Sequence, residues 1–65
     1  MKIGNNLRKL RKMAGLTQKD IADMLNIHTS TVTKYERDDR EPDLDTLCRL
    51  ADVLEITVDE LLGRK

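Results

Sequence analysis

Four aliphatic hydroxyls and two cations crowd into residues 28–37, HTSTVTKYER. Ser and Thr each offer a donor and an acceptor, Thr adds a methyl, and Lys34 and Arg37 add charged donors. That inventory suits recognition by hydrogen bonding. It does not suit bond-making, because the chain has one histidine (His28), one cysteine (Cys48) and no glycine-rich phosphate loop, so no catalytic constellation forms. A metal site fails on the same count, with no second His or Cys to complete it. The expectation is a protein that is not an enzyme and needs no metal or cofactor.

By propensity the hydroxyl-rich stretch reads as strand or loop. Geometry decides otherwise. On a strand, Val32 and Tyr35 would fall on opposite faces, because their spacing is odd. On a helix they lie about 60° apart. His28, Val32, Tyr35 and Glu36 then share one side, while Ser30, Lys34 and Arg37 point away with Thr33 flanking them. Only the helix separates apolar from polar, so a helix is expected over about 29–37, held by tertiary packing against weak propensity.

Other elements must place it. IGNNLRKLRKMA carries Ile3, Leu7, Leu10 and Ala14 at helical spacing with Met13 beside them, and Gly15 ends it in a left-handed turn. In LTQKDIADMLN, Thr17 is an N-cap with Asp20 three residues on, Ile21, Ala22 and Leu25 form the inner stripe, and Asn26 tolerates positive φ at the end. Pro42 breaks the chain after DDR, and Asp43 caps a helix whose inner side carries Leu44, Leu47, Cys48, Ala51 and Leu54, with Leu50 adjoining. Thr57 and Glu60 repeat the cap, Leu61 and Leu62 turn inward, and Gly63 closes the helix. The expected fold is all-α, five short helices in one domain over 1–65, with an aliphatic core.

Net charge is zero, but it is unevenly spread. Residues 1–19 hold six basic side chains and no acid, whereas 36–45 hold six acids against Arg37 and Arg40. One end suits a polyanion and the other does not. The usual role of the run Arg8, Lys9, Arg11, Lys12 is a solvated face. No apolar run is long enough for a membrane span or a secretory signal. A lone Cys48 fits a reducing compartment, and its expected place is a small apolar core or interface site.

The helices at 18–25 and 29–37 are joined by about three residues. That is helix-turn-helix spacing, in which the second helix enters a DNA major groove about 12 Å wide. Short hydroxyl side chains let a backbone approach base edges, which accounts for their density here. The competing role for the same hydroxyls is capping and back-bonding to their own helix.

GLTQKDIA, STVTKYER and the trailing PDLDTLCRLADVL followed by DELL, in this order, resemble the Cro/cI-type (XRE-like) helix-turn-helix repressor domain of phages and bacteria. The resemblance covers nearly the whole chain. It implies a five-helix bundle of the lambda-repressor-like type and a sequence-specific, double-stranded DNA-binding transcriptional regulator, a repressor or autoregulator, in a bacterial cytoplasm. It implies that Thr29, Ser30, Thr33 and Lys34 face bases, Lys34 contacting either guanine or phosphate. Thr17, Gln18, Arg37 and Arg40 would meet phosphates, and Arg11 and Glu36 would form an ion pair tying the first helix to the end of the third. His28 stands where the family usually has a Ser or Thr cap, and is expected either to pack on the second helix or to lie near phosphate. Asp38 stands where the family commonly has Gly, and the family commonly has a basic residue near the position of Asp39. Two acids there put the loop's usual phosphate contacts in doubt.

One reading helix covers few base pairs, so a homodimer on half-sites about 34 Å apart is expected. With no separate dimerisation domain in the sequence, its contact falls to helices four and five: Val53, Ile56, Val58, Leu61 and Leu62. The alternative function is a protein-interaction module on the same fold, such as an antitoxin masking a toxin, supported by the acidic 36–45 segment.

Overall fold

The computed structural model describes residues 2–64 as five helices: α1 (Gly4–Met13), α2 (Gln18–Leu25), α3 (Thr29–Glu36), α4 (Leu44–Val53) and α5 (Val58–Leu61). No strand occurs among the described residues. Three of the starts are set by the expected side-chain oxygens. Thr17 Oγ1 accepts from the Asp20 amide at 3.0 Å while Asp20 Oδ2 accepts from the Thr17 amide at 2.8 Å, a reciprocal box. Thr57 and Glu60 repeat it at the start of α5, and Asp43 Oδ1 accepts from the Thr46 amide at 2.8 Å at the start of α4. Each bond satisfies a helix-start amide that has no acceptor within its own helix.

All five helices end by one device. A residue with φ between +56° and +76° follows the last turn: Gly15, Asn26, Asp38, Glu55 or Gly63. The next amide then reaches back five residues, as Leu16 to Arg11, Ile27 to Ala22, Asp39 to Lys34, Ile56 to Ala51 and Arg64 to Asp59. This closes the open carbonyls of the last turn. The sequence signals Gly15, Asn26 and Gly63, and Asp38 by its tolerance of that conformation. Glu55 carries no such signal.

The core joins Ile3 and Leu7 of the N-terminal region, Ile21, Ala22 and Leu25 of α2, Val32 and Tyr35 of α3, Leu47, Leu50, Ala51 and Leu54 around α4, and Leu61 of α5. α3 packs on both α2 and α1, α4 packs on α2 and α5, and α5 closes against α1. The third helix is thus held from two sides, which overrides its poor propensity.

Several expected positions differ. Leu44 is 73% exposed and Cys48 is an exposed free thiol, so neither belongs to the core. They sit about 70° and 110° round the helix from the centre of the Leu47, Leu50, Ala51, Leu54 stripe. Met13 and Ala14 are exposed at the end of α1, where the helix has run past the core, and Arg11 is buried there instead. Leu61 is fully buried, so it is unavailable to a second copy. Val53, Ile56, Val58 and Leu62 are partly buried against the core. α3 ends at Glu36, with Arg37 as its C-cap.

Candidate nucleic-acid interface

α3 divides as its periodicity requires. Val32, Tyr35 and Glu36 are buried, whereas Thr29, Ser30, Lys34 and Arg37 are exposed and Thr33 is half-buried. The expected reading residues therefore share the outer half of one helix, with Thr33 on the border beside α2. His28 is the N-cap, is exposed, and makes no side-chain cap bond.

Behind that face a hydrogen-bonded chain links three helices. Arg11 Nε donates to Glu36 Oε2 at 2.6 Å and Arg11 Nη2 donates to Glu36 Oε1 at 3.2 Å, a two-point ion pair of buried side chains. Arg11 Nη1 donates to the Leu16 carbonyl at 2.8 Å. Gln18 Nε2 donates to Glu36 Oε1 at 3.0 Å, and the Thr33 hydroxyl donates to Gln18 Oε1 at 2.7 Å. Thr33 Oγ1 also lies 3.2 Å from the Thr29 carbonyl, a back-bond to its own helix. The expected pair Arg11–Glu36 is present and is more than a pair: it fixes Gln18, which in turn fixes Thr33. Because every polar group in it has a partner, burying the two charges is tolerated.

The residues expected at phosphates are placed less uniformly. Thr17 and the start of α2 are exposed, with the helix-end dipole favouring an anion there, although the Thr17 hydroxyl already serves Asp20. Gln18 keeps a second amide N–H beyond the one given to Glu36. Arg37 Nε lies 3.3 Å from Asp39 Oδ2 in an exposed pair. Arg40 is exposed, and its charge helps to hold the Asp43 carboxyl below its ordinary range, after the larger effect of hydrogen bonding from Thr46. The Asp20 carboxyl is likewise held low, chiefly by the Thr17 backbone amide.

Asp38 and Asp39, in the α3–α4 loop, have protein partners. Asp38 Oδ1 accepts from the Gly4 amide at 2.9 Å, capping α1 from 34 residues away, and Asp39 pairs with Arg37. Sequence reasoning missed this cap, the Gln18–Thr33 bond, and the donation of Arg49 Nη2 to the Leu25 carbonyl at 2.8 Å, which closes the far end of α2. All three join residues distant in the chain, and no local spacing signals them.

Two short helices joined by a three-residue turn, the second buried on one side and bearing exposed hydroxyls and a cation on the other, define a helix-turn-helix domain. The helix-turn-helix family model HTH_3 matches residues 7–61. The HTH-type transcriptional regulator ImmR of Bacillus subtilis is 44% identical over 64 residues, spanning 98% of this chain and 50% of that protein. The restriction-modification controller protein C.AhdI from Aeromonas hydrophila superposes with a TM-score of 0.86 at 37% identity, covering 92% of this chain and 91% of its own. The master regulator for biofilm formation SinR, solved in complex with DNA, superposes with a TM-score of 0.84 at 26% identity over 92% of this chain and 97% of its own. The chain belongs to the helix-turn-helix family, in its XRE-type branch. It spans about half the length of the first curated relatives it matches.

Proposed function

We propose that the chain is the operator-binding domain of a transcriptional regulator, a repressor or autoregulator, which lays α3 in the major groove of double-stranded DNA. Thr29, Ser30, Thr33 and Lys34 face base edges, and Thr17, Gln18, Arg37 and Arg40 hold the sugar-phosphate backbone on either side. The observation that carries this reading is the outer half of α3, where short hydroxyls and Lys34 stand exposed on a helix whose opposite side is locked by Val32, Tyr35 and Glu36. Short side chains let the helix approach the bases, and the locked side keeps its angle fixed. The relatives named above are a transcriptional regulator, a controller protein and a regulator solved on DNA, which supports the same reading. The masking-module alternative has no support among them.

In this reading two copies occupy half-sites about 34 Å apart. Val53, Ile56, Val58 and Leu62 are the apolar side chains of the α4–α5 end still partly open to a second copy, now without Leu61. Such a regulator works beside the chromosome in the bacterial cytoplasm. No helix among the described residues is long and apolar enough to cross a membrane.

The test is selection of bound duplexes from a random pool, followed by titration of the selected and a scrambled duplex at two salt concentrations. A preference of about 10³ or more that persists at the higher salt is expected. Equal affinity for both duplexes, falling together as salt rises, would leave only a non-specific polyanion binder.

A further inference from the structure

We propose that Thr33 meets DNA only as a hydrogen-bond acceptor, its single hydroxyl proton committed inward by a relay that begins at Arg11. This rests on the assignment of α3 to the major groove and narrows what one of its residues can recognise.

The relay is a matter of which atoms can donate. Both carboxylate oxygens of Glu36 accept from Arg11, at 2.6 and 3.2 Å, so the further group that meets Oε1 must also be a donor. That group is the Gln18 side chain, and it turns Nε2 toward Glu36 at 3.0 Å. With its nitrogen committed there, Gln18 presents Oε1 to Thr33 at 2.7 Å. An amide oxygen has no proton, so Thr33 must supply one. The other group within reach of the hydroxyl, the Thr29 carbonyl at 3.2 Å, is again an acceptor. One proton faces two inward acceptors, and neither choice leaves it for a base. What remains outward is lone-pair density and a methyl.

In the major groove the donors are adenine N6 and cytosine N4, while guanine O6 and N7, adenine N7 and thymine O4 are acceptors. Thr33 therefore favours a base amine at its position and gains nothing from a purine N7. Ser30 is exposed on the same helix, and among the described residues none commits its hydroxyl in this way. It can donate or accept. Two hydroxyls on one helix thus differ in the base edges they can read, and the difference is set by Arg11, Glu36 and Gln18.

The test begins at the base position whose preference is relaxed by Thr33→Val, which keeps the side-chain shape and removes the hydroxyl. At that position one duplex lacks the exocyclic amine (purine for adenine, or 2-pyrimidinone for cytosine), and another carries a 7-deazapurine in place of the purine of the pair. Loss of the amine is expected to weaken the wild type about fivefold, the worth of one neutral hydrogen bond, and to cost Thr33→Val nothing further. The 7-deaza duplex is expected to bind unchanged. A 7-deaza loss that vanishes in Thr33→Val, or indifference to the missing amine, overturns the proposal.

A measurement on the free protein separates this from the proposed function. By NMR, the Thr33 hydroxyl proton should exchange with water much more slowly than that of Ser30, and Gln18→Met should remove much of that protection. Selective DNA binding with an unprotected Thr33 hydroxyl overturns the relay alone. A protected hydroxyl with no selective binding overturns the proposed function, and the base preference falls with it.

Discussion

The Gly4 amide donates to the Asp38 carboxylate at 2.9 Å, so the start of the first helix is closed by the loop that ends the third. Glycine is required at that point. A methyl on Gly4 would fall well inside contact distance of the Glu36 carbonyl, which is backbone and has no room to yield. Gly4→Ala is therefore expected to cost about 1–3 kcal/mol. Asp38 has φ +60°, so Asp38→Ala loses the cap and adds left-handed strain, for a total of about 2 kcal/mol. Asp38→Asn keeps an oxygen for Gly4 and tolerates the backbone, and should lose less than half as much. Thermal unfolding of the three variants checks the order.

Glu55 offers the opposite experiment. It holds φ +56° and its side chain makes no hydrogen bond or ion pair among the described residues, so its left-handed backbone carries strain without a compensating contact. Glu55→Gly is expected to stabilise the domain by about 0.5–1 kcal/mol, less than the full strain because glycine also loosens the unfolded chain. The urea midpoint should rise with the slope unchanged.

Removing one member of the Arg11–Glu36 pair strands a buried charge. Arg11→Met or Glu36→Met alone is expected to cost about 3–5 kcal/mol, much of the stability of a domain this small. The double replacement Arg11→Met with Glu36→Met should recover a large part of that loss. Urea unfolding of the two singles and the double forms the cycle, and additive losses would show that the pair is not coupled.

Asp20 and Asp43 are expected to make stability sensitive to acid. Both carboxyls lie below their ordinary range in the folded state, Asp20 chiefly through the Thr17 amide and Asp43 chiefly through hydrogen bonding with Thr46. On acidification the unfolded chain takes up these protons first. The contribution is therefore complete above about pH 4, the ordinary carboxylate value, and is lost as pH falls through the lower folded values. Asp20→Asn and Asp43→Asn should be less stable than wild type at neutral pH, with the gap narrowing as pH falls below the ordinary carboxylate value. A gap that is constant with pH would contradict the assignment.

At the proposed DNA surface three substitutions should separate by their signatures. Gln18→Ala is expected to lower affinity for every duplex, because it removes a backbone contact, and also to relax the preference at the Thr33 position, because the hydroxyl loses its Gln18 acceptor. Ser30→Ala should change preference at one base position only. Lys34→Gln should lower the salt slope by about one if Lys34 meets a phosphate, or relax one base position if it meets guanine. Titrations over a salt series with the selected duplex and its single-base variants distinguish them.

The local devices of this fold are legible in the sequence because they are local. Thr17 with Asp20, Thr57 with Glu60, and Asp43 each lie three residues from their partners. Asn26, Gly15 and Gly63 announce left-handed turns by residue type. Periodicity also finds the buried side of α3, despite its hydroxyls. It fails on α4, where Leu44 and Cys48 are apolar but lie beyond the strip that α2 and α5 cover. The Arg11–Glu36 pair came through family resemblance and not through spacing. The Gln18–Thr33 bond, the Asp38 cap and the Arg49 contact join residues 15 to 34 positions apart, and only the assembled bundle brings them together.

The α2–α3 unit is fastened at both extremities, by Arg49 on the carbonyl of Leu25 and by the Arg11–Glu36–Gln18 chain at the other end. A stamp mounted that stiffly has little give. In the proposed complex the adjustment falls on the double helix, which must bend or twist until its groove matches the die. Stretches of sequence the protein never touches would then be sorted by their suppleness, and flexible steps between half-sites would be favoured over stiff ones.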